Sequence, residues 1–245
     1  MKLLSIGNSF SQDAQAFLHR LAVANGVALD TTNLVIPGCT LETHWNHMKD
    51  GEAAYYLEQD GADCHRMVTL DEGLALGAWD VITLQQASGF SGKPQSYVPY
   101  LTDLAAYVRA KCPGAKLYFH QTWAYAVDSD HGHFAFYHND QQEMYRRICD
   151  CAELASRLID APLLPSGPVI QHLREHAPVF DLANGGARLT RDGFHLSWEY
   201  GRYAAAATWL AVLTGRMPTV HAIPDGYPAL MDAIFAGVRA VVFGG

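Results

Sequence analysis

Short apolar runs alternate with amphipathic stretches along the whole chain. Leu3–Gly7 is apolar and closed by a glycine, the pattern of a buried parallel strand. Phe17, Leu18, Leu21 and Ala22 then share one helical face, and the stretch stops near Asn25-Gly26. Thr32–Ile36 predicts a second strand stopped by Pro37-Gly38, Val81–Leu84 a third, Lys116–His120 a fourth and Leu163-Leu164 a short fifth. Helical patterns cover Tyr97–Lys111, Gln141–Ile159, Val169–Glu175, Trp198–Leu213 and Tyr227–Val242. Strands that alternate with helices imply an α/β fold, a parallel sheet covered by helices on both faces. The segments 39–78 and 123–140 are long for connections in such a fold, and long connections tend to build the site.

Composition narrows this picture. The 245 residues are 49% hydrophobic and 17% charged, enough for a sizeable core, and with no repeat or low-complexity linker the expectation is one domain spanning 1–245. The net charge of -8, with no lysine–arginine cluster, argues against nucleic acid and anionic membranes as partners. No apolar run approaches the ~20 residues of a membrane span. Met1–Ile6 begins like a signal peptide but is too short, and Gly7-Asn8-Ser9 interrupts it. Cys39, Cys64, Cys112, Cys149 and Cys151 are odd in number and form no CxxC pair, so reduced thiols, a cytoplasmic location and no structural zinc are expected, unless an export signal precedes this sequence.

In open α/β sheets, ligands bind beyond the carboxyl ends of the strands. Four features fall there. Ser9, in Gly7-Asn8-Ser9-Phe10-Ser11, follows the first strand, where its hydroxyl is accessible and its N–H lies near the positive end of a helix. A helix N-cap explains a serine at that position equally well. Pro37-Gly38-Cys39 lets the backbone approach a ligand and present the Gly38 N–H. Gln85-Gln86-Ala87-Ser88 brings two amides out of a buried strand, and a side-chain amide can donate to an oxyanion. Asp192-Gly193-Phe194-His195 places a carboxylate three residues before an imidazole, which allows an Asp–His hydrogen bond but is also an ordinary Asp-Gly turn.

Together these features resemble the SGNH hydrolases, also called GDSL-type esterases and lipases. Ser9 falls at the nucleophile of the first block, with Asn8 where the family usually has aspartate; Gly38 falls at the oxyanion glycine; Asp192 and His195 match the last block. The third block departs from the usual GxND, for an ungapped match puts Ala87 at its asparagine. The glutamine pair is more similar to the QGES-like block of carbohydrate O-acetylesterases, which points to Gln85 as third oxyanion donor and Gln86 as the other candidate. The chain also resembles a bacterial branch with IGNSFS, LQQAS and DGFHLS segments. The resemblance implies a three-layer, flavodoxin-like α/β/α sandwich around a roughly five-stranded parallel sheet. It implies a serine esterase acting without a cofactor on a small-molecule or carbohydrate ester, acetyl esters foremost. An acyltransferase on the same residues and a non-catalytic carbohydrate-binding module are the alternatives.

Other clusters add little. His131, His133 and His138, like His44 and His47, lack a carboxylate or cysteine at a familiar ligand spacing, so no metal site is expected. Trp123, after the fourth strand, suits an apolar wall or a platform for a sugar, and equally a packing aromatic; Gln86 and Trp123 are the expected substrate contacts. Ser197 is expected to cap the helix that follows it.

Overall fold

The computed structural model describes residues 1–222 and 228–244. Its sheet contains β1 (Lys2–Gly7), β2 (Asp30–Val35), β3 (Tyr55–Gln59), β4 (Ala62–Val68), β5 (Val81–Leu84), β6 (Lys116–His120) and β7 (Leu163–Leu164). Their order is β4-β3-β2-β1-β5-β6-β7. Pairing is parallel from β2 through β1, β5 and β6 to β7, and antiparallel from β2 to β3 and β3 to β4.

The five parallel strands are those the sequence predicts, with the second beginning at Asp30. The β3–β4 hairpin extends the expected five-stranded sheet to seven and occupies part of the segment read as a long connection. Its signal is Asp60-Gly61, a turn pair in which both residues take positive φ, 51° and 81°. β4 is mostly exposed, so it lacks the apolar run that marks a buried strand.

Helices cover both faces. α1 (Ser9–Gln15), α2 (Leu18–Ala24), α7 (Ser166–His176), α8 (Tyr200–Thr214) and α9 (Pro228–Phe243) share a core with Leu3, Val81 and Tyr118 of the sheet. α3 (Leu41–Asp50), α4 (Leu70–Leu74), α5 (Tyr100–Lys111) and the end of α6 (Gln141–Ile159) pack on Leu4, Ile6, Ile82, Leu84, Leu117 and Phe119. Strand alternation sorts neighbouring residues to opposite faces, which produces the three-layer sandwich. α5 starts later than its apolar pattern, because Val98 precedes Pro99 and is disfavoured in helical backbone. Tyr227, the first residue of the expected last helix, lies outside the described residues.

α1 is held by hydrogen bonds more than by an apolar stripe. Gln15 Nε2 and Thr83 Oγ1 both donate to Ser5 Oγ, at 2.6 and 2.7 Å. Ser11 Oγ donates to Asn33 Oδ1 at 2.8 Å, and Asn33 Nδ2 to Glu58 Oε2 at 3.1 Å, which ties in β3. Ser11, Asp13 and Gln15 are buried. A helix that buries its polar residues has no hydrophobic period, and for that reason the apolar pattern marks the helical face only from Phe17, while Ser9 itself carries the one sign of an earlier helix start.

Candidate active site

β1 delivers the chain to Gly7, where an added Cβ would lie 2.4 Å from Ser11 Oγ, so the tight entry into α1 requires glycine. Asn8 is extended and caps α1, its Oδ1 accepting from Phe10 N at 3.0 Å. The cap is thus supplied by the residue before Ser9. Ser9 occupies the first helical position, half-buried, with its hydroxyl free for another partner.

That partner is His195. Ser9 Oγ donates to His195 Nε2 at 2.9 Å, and His195 Nδ1 donates to Asp192 Oδ2 at 2.7 Å. Asp192 Oδ1 accepts the backbone N–H groups of Phe194 (3.1 Å) and His195 (2.7 Å), so the Asp-Gly turn and the Asp–His pair are one structure. Gly193 has φ +86°, and its carbonyl accepts from Ala126 N at 2.7 Å. Burial raises the Asp192 carboxyl's proton affinity, but hydrogen bonds from the His195 ring and the two N–H groups outweigh it and hold the pKa below the usual carboxylate value. A serine hydroxyl, an imidazole and a carboxylate in this order can pass a proton from Oγ to Nε2 while the carboxylate steadies the imidazolium.

Sequence reasoning missed what joins the two halves. Asp13, fully buried one turn along α1 from Ser9, accepts Leu196 N at 2.8 Å, Arg191 Nη1 at 3.0 Å and Arg202 Nε at 2.7 Å. Arg191 also donates to Leu196 O. Both guanidinium groups lie over the exposed Trp198 ring, at 4.3 and 4.1 Å. The helix that carries Ser9 and the loop that carries His195 therefore share one carboxylate. Asp13→Ala would leave two cations without their buried counter-charge, and a loss of roughly 3–5 kcal/mol of stability is expected. Urea unfolding checks it; a midpoint equal to wild type would contradict this anchoring. The signal for Asp13 was weak, a lone acidic residue in a segment without helical periodicity.

Gly38 stands in the turn after β2 with φ +66°, a conformation that favours glycine, and Cys39 N closes the turn on Ile36 O at 3.1 Å. Asn8 Nδ2 donates to Cys39 O at 3.1 Å, so this turn is fastened to the residue before Ser9. Burial pushes the Cys39 thiol far above its ordinary pKa.

The glutamines differ from expectation. Gln85 is buried; Nε2 donates to Asn8 Oδ1 at 2.7 Å, and Oε1 accepts from His120 Nδ1 at 2.8 Å. This amide braces Asn8. Gln86, expected as a substrate contact, is also buried: Oε1 accepts from Leu41 N (3.0 Å) and Ala87 N (2.8 Å), and Nε2 donates to Ser96 O (2.9 Å) and Ser96 Oγ (3.0 Å). Trp123 corrects the second expected contact. It is 0% exposed, stacks on Phe10 with centroids 4.2 Å apart, and donates Nε1–H to Phe194 O at 2.7 Å. It supports the helix of Ser9 and the turn of His195 from beneath, where no sugar reaches it.

The rim comes from other residues. The Phe194 ring packs on His195 at 4.1 Å and on His131 at 4.5 Å. His133 seats directly on Gly89, and Tyr137 Oη donates to Gly89 O at 3.0 Å, which closes the 88–92 turn against the 131–137 segment. Burial first, then the neighbouring His133 and His195, lowers the pKa of His131. Elsewhere, His44 is buried against Tyr55 Oη at 3.0 Å, and His47 bonds Glu52 at 2.6 Å. Among the described residues no group of three or more His, Cys, Asp or Glu could hold a metal ion, and no helix is long and apolar enough to cross a membrane. Ser197 Oγ accepts from Gly201 N at 2.9 Å at the start of α8.

Residues 2–222 match the family described as Domain of unknown function (DUF4886). The chain belongs to the DUF4886 family. A DUF4886 protein from Bacteroides uniformis, known from its crystal structure, is 35% identical with a TM-score of 0.90, over 100% of this chain and 95% of that one. More distant likenesses extend the fold. A protein of Slackia heliotrinireducens, named as a candidate SGNH hydrolase, has a TM-score of 0.58 at 20% identity, over 87% of this chain and 98% of that one. An acetyl xylan esterase from Geobacillus stearothermophilus has a TM-score of 0.55 at 11% identity, over 89% of this chain and 97% of that one. Among curated proteins, none matches this DUF4886 chain.

Proposed function

We propose that this DUF4886 protein is a serine esterase of the SGNH type that hydrolyses acyl esters, acetyl esters of a carbohydrate foremost. The observation that carries the reading is the unbroken relay from Ser9 Oγ to His195 Nε2 at 2.9 Å and from His195 Nδ1 to Asp192 Oδ2 at 2.7 Å. Ser9 Oγ attacks the ester carbonyl as its proton moves to His195 Nε2. Asp192 holds the ring in the tautomer that accepts at Nε2 and stabilises the imidazolium. The tetrahedral oxyanion takes hydrogen bonds from the N–H groups of Ser9 and Gly38; the Gln85 amide is assigned to bracing Asn8. His195 then protonates the leaving alcohol, and water, deprotonated by the same imidazole, hydrolyses the acyl-enzyme.

Two observations support the substrate class. Asp192 and Gly38 are exposed and Ser9 is half-buried, so the site opens at the surface and can admit a bulky alcohol. The fold is shared with an acetyl xylan esterase. The same openness admits water, which favours hydrolysis over transfer to a second alcohol, and an intact relay exceeds what a carbohydrate-binding module needs.

The test exposes the protein to a fluorophosphonate and locates the adduct by peptide mass spectrometry, with p-nitrophenyl acetate and acetylated xylooligosaccharide as substrates. An adduct on Ser9 and release of acetate from both substrates are expected. An unlabelled Ser9 in folded protein would overturn the nucleophile, and turnover of the aryl ester alone would overturn the carbohydrate.

A further inference from the structure

The carboxyl ends of the five parallel strands are crossed by one chain of buried side chains. Asn8 directly follows β1, Gln85 directly follows β5, His120 ends β6, Ser166 comes two residues after β7, and Cys39 lies in the turn beyond β2. Trp209 of α8 closes the far end. Trp209 Nε1 to Ser166 Oγ is 3.0 Å, Ser166 Oγ to His120 Nε2 is 3.0 Å, His120 Nδ1 to Gln85 Oε1 is 2.8 Å, and Gln85 Nε2 to Asn8 Oδ1 is 2.7 Å. Asn8 Nδ2 then reaches Cys39 O at 3.1 Å. Asn8, Gln85, His120, Ser166 and Trp209 are all buried.

Two groups that can only donate pin the direction of every bond. Phe10 N–H donates to Asn8 Oδ1 at 3.0 Å, so the Gln85 atom facing that oxygen must be the amide nitrogen. The Gln85 oxygen then faces His120, whose Nδ1 must carry its proton. Nε2 of the neutral ring is left as an acceptor, and Ser166 must donate to it. The Trp209 indole, a donor only, fills the lone pair that the Ser166 oxygen still offers. The indole bond agrees with the direction set from the Phe10 end, because the Ser166 hydroxyl can accept from Trp209 while it donates to His120. Burial lowers the pKa of His120 to about 3, in keeping with a neutral ring.

We propose that Trp209, Ser166, His120 and Gln85 form a positioning chain for the esterase site, acting through Asn8. Asn8 holds two things: its own peptide leads into the Ser9 N–H, and its amide holds the carbonyl next to Gly38. The chain fixes which way that amide faces, and with it the spacing between the two oxyanion donors. Removing a link leaves partners unsatisfied and lets Asn8 turn, which shifts the donors relative to Ser9 Oγ. The inference rests on the esterase reading above.

The test compares wild type, His120→Leu, His120→Asn, Ser166→Ala and Ser9→Ala on p-nitrophenyl acetate. His120→Leu breaks both of its links and is expected to lower kcat about 100-fold with KM within about 3-fold, the effect of misplacing a reacting geometry from a distance. His120→Asn keeps an N–H donor near the position of Nδ1 and should recover most of that loss. Ser166→Ala deletes one hydroxyl and should lower kcat about 10-fold, half the logarithmic loss of the leucine variant. The pH profile should stay that of wild type, because His195 and Asp192 are untouched. Folding is followed by thermal melting. A folded His120→Leu with wild-type kcat, a loss confined to KM, or His120→Asn no better than leucine would overturn the chain. If leucine does not fold, unchanged kcat in Ser166→Ala overturns it. Wild-type activity in Ser9→Ala would instead sink the esterase reading, whatever the His120 series shows.

Discussion

Ser9→Ala is expected to lower kcat for an aryl acetate by about 10⁶-fold and to leave the melting temperature unchanged, a pairing that separates a nucleophile from a helix cap. A capping serine replaced by alanine costs about 1 kcal/mol of stability. Here Asn8 supplies the cap, and the Ser9 hydroxyl bonds to His195. Its removal therefore costs α1 none of its orphan N–H partners. Steady-state kinetics and a melt on the same preparation check both halves. Residual activity above a few per cent would remove Ser9 from the chemistry, and a marked fall in melting temperature would return it to the cap.

Asp192→Asn is expected to lower kcat about 10⁴-fold, far more than the loss of one charge from a partly exposed position suggests. The reason is the tautomer. Two backbone N–H groups, of Phe194 and His195, demand an acceptor at Oδ1, so an asparagine must keep its oxygen there. Its NH₂ group then faces His195 Nδ1, which must accept. The ring proton moves to Nε2 and points at Ser9 Oγ, and the base is lost. The affinity of a slow-turnover substrate should barely change. A variant with kcat within ten-fold of wild type would overturn the tautomer argument and with it the place of Asp192 in the relay.

The parallel strands were legible because burial on both faces makes each a short apolar run closed by a turn residue. Ser9, Gly38, Asp192 and His195 stood out as candidates for a related reason, since each follows a strand or belongs to a short local motif, but each also fits a cap or a turn, and only the resemblance to the SGNH hydrolases joined them into one candidate site. The β3–β4 hairpin announced itself only through Asp60-Gly61, since an edge strand need not be apolar. α1 was hidden because it buries Ser11, Asp13 and Gln15 against polar partners from β1, β2 and the 190s loop. Trp123 and the two glutamines sat at the right ends of the right strands, but position along a chain carries no information about which way a side chain turns. Trp123 turned under the site, Gln85 along it, and Gln86 away to Leu41 and Ser96.

By itself the sequence determined the α/β architecture, because hydrophobic period is set by near neighbours in the chain, whereas Ser9, Asp192 and His195 were joined into one candidate relay by the resemblance to the SGNH hydrolases. Only the tertiary structure decided what holds that relay together. The Asp13 anchor joins residues 178 and 189 positions apart, and the Trp209-to-Asn8 chain draws one residue from nearly every strand end. Such partners are chosen by the burial of polar groups that must each find a complement, a condition met in three dimensions and invisible in any local pattern.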